Sequence, residues 1–449
     1  MRTRRRGLAV AGLAVLGLLA TTVPAHAAAS PADDPLDLAN FELRPNKMGT
    51  ELKDRVARLD EELPRAGVKK IFEDANRTGV VEGGVCNENA DLDGTGEFVR
   101  RLSTSMCFNS GDNSTMLWYP QGVSTIADAQ DDKHWGAENQ PVLVSWYDSS
   151  KKDGVDDGED ELEKGVRVSF MDPHTGRYRH VLLVYPTINS YDNPSYMSVR
   201  YKQTGEGTSL HGGGIVWYGN HLYVADTGRG FRVFDMRHIY DLGAASNGST
   251  QDRSRIGRRS GTYHGHGYRY VMPQVASWTV TAPKGEKCTS DDQAMSFSYA
   301  GLDRSGLDHM LAGEYCKKSE EVPGRVAAWP IAGATDEDGE QITDTGYRWQ
   351  ADAAHELPYS NIQGAVRFHE RWYLSQSRGN DAAGLLYQTD RASASDEVLR
   401  PREVQPAAVG PEDLSHWEEG RGGTTLGNIW TVAEHPNRRM VYASVPKNP

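Results

Sequence analysis

The 449-residue chain has only four cysteines, and no two stand in a C-x-x-C pair. That spacing argues against a structural zinc site, which usually draws its thiolates from such pairs. There is one long apolar run, at residues 7–23, and no second one follows it. A membrane anchor in the remaining chain would need about twenty consecutive apolar residues. Cations are in deficit, with 49 Lys and Arg against 62 Asp and Glu and a formal charge of −13. Nucleic acid and anionic membrane surfaces are poor partners for such a chain. Beyond residue 98 no long helical periodicity is present, which argues against folds that interleave helices with a parallel sheet.

What is present begins with a basic stretch, Arg2, Arg4, Arg5 and Arg6, ahead of the apolar run, and ends with the small-x-small triplet Ala25-His26-Ala27. This is the pattern of a secretory signal peptide over residues 1–27. Removing it takes the formal charge from −13 to −17. No lipobox-type cysteine lies near the cleavage site. The expectation is a soluble protein, secreted to an extracellular environment, without a membrane anchor and monomeric. In that environment Cys86, Cys107, Cys288 and Cys316 read as two disulfides. Three connectivities can be drawn, and the sequence-local one, Cys86–Cys107 with Cys288–Cys316, is the simplest.

Residues 28–97 read as a mobile N-terminal segment carrying one helix and an acidic loop. Leu52, Val56, Leu59 and Leu63 repeat at helical spacing, with Thr50 as N-cap and Pro64 as the stop. The loop NADLDGTGE places Asn89, Asp91, Asp93 and Glu97 at alternating positions around Gly94, as in the first half of a calcium loop. Arg100 occupies the place of the closing bidentate acid, so an ordinary acidic turn is the competing reading. Calcium is the one cofactor suggested. YHGHGY (263–268) offers His264 and His266, a pair that a strand would point to one face.

From residue 98 to 449 short strand-like segments follow one another between turn residues, among them PVLVSWYD (141–148), GVRVSFMD (165–172) and FRVFDM (231–236). Such a pattern means a sandwich, a barrel or a propeller. Internal similarity favours the propeller. Five segments begin with a polar residue followed by small and apolar ones: PQGVS at Gln121, LHGGGIV at His211, PQVAS at Gln274, IQGAV at Gln363 and PEDLS at Glu412. After several of these a second strand ends in an acid, at Asp148, Asp226, Glu314 and Glu434. The fold class expected is all-β, a single propeller of five blades, with six as the alternative. An N-terminal strand, within 97–108 or 115–120, would close the ring against the last blade. HLYVADTGRGFRVFD, of which Leu222 to Asp235 is the matching part, resembles the half-blade core of NHL- and LVIVD-type propeller repeats. The style of the chain also resembles secreted actinobacterial proteins.

His211-Gly212-Gly213-Gly214 spells the oxyanion-hole motif of lipases, but no G-x-S-x-G nucleophile elbow exists. The glycines are better read as the tight start of an inner strand. Gln121, His211, Gln274, Gln363 and Glu412 should then ring a channel mouth, with Asp148, Asp226, Glu314 and Glu434 near the same face. That ring suits a polar small molecule, glycan or peptide bound at an axial funnel. The alternative is a carboxylate-dependent glycoside hydrolase or lyase in the same funnel. Two facing carboxyls about 5–10 Å apart would favour the enzyme. Carboxyls tied to arginine or backbone would favour binding or a structural role.

Overall fold

In a computed structural model, residues 36–447 are described apart from 83, 137–138, 150–163, 201–209, 283–287, 291–292 and 420–424. Residues 1–27, where a signal peptide is expected, and 153–163 of the acidic insertion lie outside the described residues. The fold is all-β with few, short helices.

The strands group into antiparallel meanders of four. The first comprises Trp118–Thr125, Val142–Asp148, Val166–Met171 and Arg177–Ile188. The second comprises Ile215–Tyr218, His221–Asp226, Gly230–Asp235 and Tyr270–Val280. Tyr299–Asp303, His309–Gly313, Arg325–Pro330 and Ala353–Glu356 form the third, and Ile362–Phe368, Arg371–Gln376, Leu385–Arg391 and Pro401–Pro406 the fourth. The fifth takes Pro411–Glu419, Thr425–Ala433 and Met440–Ser444 from the C-terminus and borrows Leu102–Cys107 as its fourth strand. The first strands of the five contact one another in chain order, and the last contacts the first. Four-stranded meanders arranged around a closed ring of inner strands make a β-propeller. Of the two candidate closing segments, the one within 97–108 pairs with Met440–Ser444, whereas Trp118 to Pro120 begin the first inner strand.

Every residue of Val142–Asp148 and Val166–Met171 is buried. Such strands are covered on both faces by neighbouring meanders. They therefore read as continuous apolar runs with little alternation. The long strand Tyr270–Val280 behaves differently. Its first part runs parallel to Val181–Val184 of the first meander, and its second part pairs with Gly230–Asp235.

The N-terminal residues are tied onto this ring. Glu42–Pro45 pairs with Tyr270–Val280, and Val80–Glu82 pairs with Leu102–Cys107. The expected helix spans Gly49–Asp60 and buries Leu52, Val56 and Leu59. Thr50 lies inside its first turn instead of capping it. Asn46 starts the turn by accepting from Met48 N at 3.0 Å. Both disulfides take the sequence-local pairing, Cys86–Cys107 and Cys288–Cys316.

A buried charge cluster backs the first meander. The Asp112 carboxylate accepts from Tyr178 Oη at 2.7 Å, from Arg167 Nη2 at 2.9 Å and from Arg77 Nε at 2.9 Å. Burial and the adjacent Arg167 depress the His180 imidazole to about 3, so it stays neutral beside Asp112. The Arg439 guanidinium lies over Tyr119 and Trp146, and Arg167 lies over Trp118 and Trp146.

Candidate functional site

The inner strands begin at one face, and their starts are crowded. A Cβ on Gly364 would stand 2.8 Å from the Glu412 carbonyl oxygen, and one on Gly214 would collide with the backbone of Tyr299 and Ala300. Glycine is required there because the next inner strand passes against it. This settles the His211-Gly212-Gly213-Gly214 motif as a packing device.

Gln121, Gln363, Glu412 and Glu434 converge at this face. Gln121 Nε2 donates to Glu434 Oε2 at 3.0 Å, and Gln363 Nε2 donates to Glu412 Oε1 at 3.1 Å. Glu412 and Glu434 are hydrogen-bonded to each other. Burial first, then the charge of Glu434, push the Glu412 carboxyl well above the usual carboxylate range. Two like charges in contact cannot both ionise in a buried site. The Glu412 carboxyl is thereby biased toward its protonated form. Tyr315 stands close enough for its phenol to feel both carboxyls, and it accepts from Asn361 Nδ2 at 3.2 Å.

Above this pair opens a groove of about 480 Å³, lined by Tyr119 and Tyr147 on one side and by Glu434, His435 and Arg438 on the other. Tyr119 and Tyr147 face each other across paired strands and stack, with centroids 5.8 Å apart. The exposed His211 ring continues the stack, parallel to Tyr147 at 4.5 Å and 2°. Burial and two neighbouring arginines lower the His435 imidazole to about 4.

Beneath the mouth, one carboxylate organises the axis. Asp413 accepts from Ile215 N at 3.1 Å, Val123 N at 3.2 Å and Ala300 N at 3.2 Å, which belong to three different inner strands. Burial raises this carboxyl, and the backbone donors oppose the shift. At the other end of the first inner strand, Asp128 accepts from Ser124 Oγ and Ser415 Oγ, each at 2.7 Å. Complete burial raises it to about 7.

Gln274 is a correction. It lies in the fourth strand of the second meander, opposite Phe234, and bonds Ala276 O at 3.1 Å. The third inner strand is Tyr299–Asp303. The small residues after Gln274 serve the crossing of its strand between two meanders.

The remaining acids reach the same rim but are tied down. Asp148 accepts from Lys164 N at 2.7 Å, and Asp226 accepts from Arg232 Nε at 2.8 Å. Glu314 receives Arg325 Nε at 2.9 Å together with the backbone N–H groups of Ser296 and Arg325. The acidic loop likewise closes on itself. Asp93 accepts from the backbone N–H groups of Thr95, Gly96 and Phe98, and Asp91 accepts from Asp93 N. Glu97 turns to Arg101 and Lys447, and Asn89 N bonds the Asn87 side chain. Asp91, Asp93 and Glu97 thus do not present three mutually close oxygens. His264 and His266 do not share a face either, because His266 leaves the strand at φ +50° and bonds Ser198 Oγ and the Arg253 carbonyl. A further trio, His221, Asp235 and Glu340, encloses Arg237, whose Nη2 lies 2.6 Å from Asp235 and 2.7 Å from Glu340.

Sequence reading missed Tyr119, Tyr147 and Asp413. Strand alternation offered a signal for the first, since Tyr119 stands two residues before Gln121 and so on the same side of the strand.

No family model and no curated protein matches the chain. Among solved structures, it is similar to the RS223 β-xylosidase at 10% identity and a TM-score of 0.34, covering 76% of this chain and 95% of that one. It is similar to a GH43_1 enzyme from Xanthomonas citri complexed with xylose at 11% identity and a TM-score of 0.34, covering 78% and 91%. The Cps50 (Swd1) β-propeller domain of Myceliophteria thermophila gives 10% identity and a TM-score of 0.29, covering 77% and 99%. At these values the likenesses transfer neither an activity nor a residue role to this chain.

Proposed function

We propose that the chain is a five-bladed propeller, exported to an extracellular environment, that binds a saccharide at the funnel without cleaving it. Among the described residues, 98–447 make the propeller and 36–97 a segment laid over it. Two disulfides suit an oxidising compartment.

The observation that carries this reading is the groove where Tyr119, Tyr147 and Glu434 meet, with Glu434 held by Gln121 and the exposed His211 ring stacked on Tyr147. The phenol hydroxyls and the exposed His211 ring offer a sugar both polar and apolar contact. The Glu434 carboxyl and the Gln121 amide bond its hydroxyls, which are both donors and acceptors. The volume is that of a small-molecule site.

The hydrolase reading is less well supported. A glycosidase needs two carboxyls on either side of the scissile bond, about 5–5.5 Å apart when retaining and about 6.5–9.5 Å when inverting. Here Glu412 is 1% exposed and hydrogen-bonded to Glu434. Among the described residues lining the groove, Glu434 is the one carboxylate.

The test is a titration of the secreted protein with an oligosaccharide panel, followed by tyrosine fluorescence and calorimetry. Saturable binding lost in Tyr147→Ala and Glu434→Gln, with no new reducing ends after prolonged incubation, is the expected result. Reducing-end release that Glu434→Gln abolishes would overturn the non-catalytic reading.

A further inference from the structure

A second cavity, of about 330 Å³, lies behind the first meander, against its third and fourth strands, the N-terminal segment and the loop at 253–269. Trp118 lines it, while the next residue, Tyr119, lines the saccharide groove. Successive strand residues point to opposite faces, so the sheet separates the two cavities.

Its lining is unlike the rest of the chain. Arg77, Lys164, Arg167, Arg179, Arg253 and Arg269 all contribute, and no Asp or Glu does among the described residues. In a protein with 62 acidic and 49 basic residues, composition alone does not produce that. The counter-charges sit behind the wall. Asp112 takes Arg77 and Arg167, Asp241 takes Arg269 through Nε at 2.7 Å and Nη2 at 2.8 Å, and Asp74 takes the remaining Arg269 Nη1 at 2.8 Å.

Two guanidinium nitrogens are left over. Arg167 is 4% exposed, and its Nε is buried without a hydrogen-bond partner. Arg179 Nε is in the same condition, and this side chain's Nη1 donates to a carbonyl, that of Asp74. A buried donor of a charged group without an acceptor is costly. Burial, with Arg269 and Arg77 nearby, also depresses the Arg179 guanidinium. An anion in the cavity offsets the positive charge of this wall.

The geometry points to a site for a small ligand carrying a tetrahedral oxyanion, a phosphate or sulfate group, bound in this cavity among its six cations. The cations come from separate elements and surround the cavity. A planar carboxylate is satisfied by one guanidinium fork, whereas a tetrahedral group offers acceptors in several directions at once. The site is independent of the saccharide reading.

The test uses the full exported chain and calorimetric titration with sodium phosphate and sodium sulfate. Chloride holds ionic strength constant, and acetate is the planar control. One saturable site for phosphate or sulfate is expected, with the preferred anion naming the ester class. Arg179→Gln should weaken binding at least about tenfold, roughly the loss of one charge-assisted contact. Arg253→Gln, at an exposed position, serves if the first variant folds poorly. Absence of saturable heat, equal binding of acetate, or unchanged affinity in both variants would overturn the assignment. Saccharide titration of Arg179→Gln should match wild type, which separates failure here from failure of the groove.

Discussion

Gln121 Nε2 and Glu434 Oε2 are 313 positions apart in the chain and 3.0 Å apart in the fold. The contact joins the first inner strand to the end of the second strand in the last meander. It makes the floor of the funnel a product of ring closure. The same contact fixes Glu434 beside Glu412, whose carboxyl is pushed above the usual range by burial and by that neighbour.

That shift sets the first expectation. Glu412→Gln keeps a donor toward Glu434 and an acceptor for Gln363, so stability should stay close to wild type. Glu412→Ala leaves both partners unmet and should cost about 1–3 kcal/mol. Urea melts of the two variants check the difference. Equal losses would show that no proton resides on Glu412.

Asp112 is the counter-charge for buried Arg167 and for Arg77. Asp112→Asn should destabilise the protein by about 3–5 kcal/mol, because breaking a buried pair strands the remaining charge. The carboxyl is held well below the usual range, so its stabilising effect is complete above about pH 4 and fades as pH falls below that. Asp112→Asn should therefore approach wild-type stability in acid. Denaturant melts at pH 3 and pH 7 measure this.

Asp128 has the opposite sign. Its folded-state value of about 7 lies above that of an unfolded aspartate, about 4. Its contribution is fully present below about pH 4 and is lost as pH rises through 7. Asp128→Asn, which stays neutral, should gain stability relative to wild type between pH 5 and pH 8. A gap that stays flat across that range would mean that Asp128 is already ionised.

Met440–Ser444 pairs with Leu102–Cys107 and so closes the ring. Truncation after Glu434 should remove cooperative unfolding from the whole domain. Differential scanning calorimetry would then show no sharp transition. A truncated chain with one intact transition would rule out ring closure as the source of cooperativity.

Much of this architecture is legible in the residues. Gln121, Gln363 and Glu412 announce themselves because glycine or another small step follows a polar residue where inner strands crowd. Gln274 carries the same local pattern for another reason. Val275 and Ala276 are small enough to sit where one long strand passes from one meander to the next, and composition does not separate the two uses. Tyr119 and Tyr147 were hidden because aromatics on strands are as often core as binding wall. Asp413 could not be read at all. Its partners at 123, 215 and 300 are backbone groups, which leave no trace in side-chain pattern. The acids at 148, 226 and 314 stand out in the sequence, but their partners, the Lys164 N–H, Arg232 and Arg325, decide that they hold structure.

The Cys86–Cys107 bond also decides how the closing seam bears tension. Without it, a pull between the two ends of the chain reaches the seam at Leu102 and Ser444, which face each other in register. The strands would then peel apart one residue pair at a time. With the disulfide intact, the load enters at Cys107, opposite Met440, and leaves at Ser444, at the far end of the pair. All the cross-strand hydrogen bonds are then strained in parallel and must fail together. The expected outcome in a force-spectroscopy experiment is a seam that ruptures at markedly higher force when oxidised than after reduction. Equal rupture forces in the two states would show that tension takes another path.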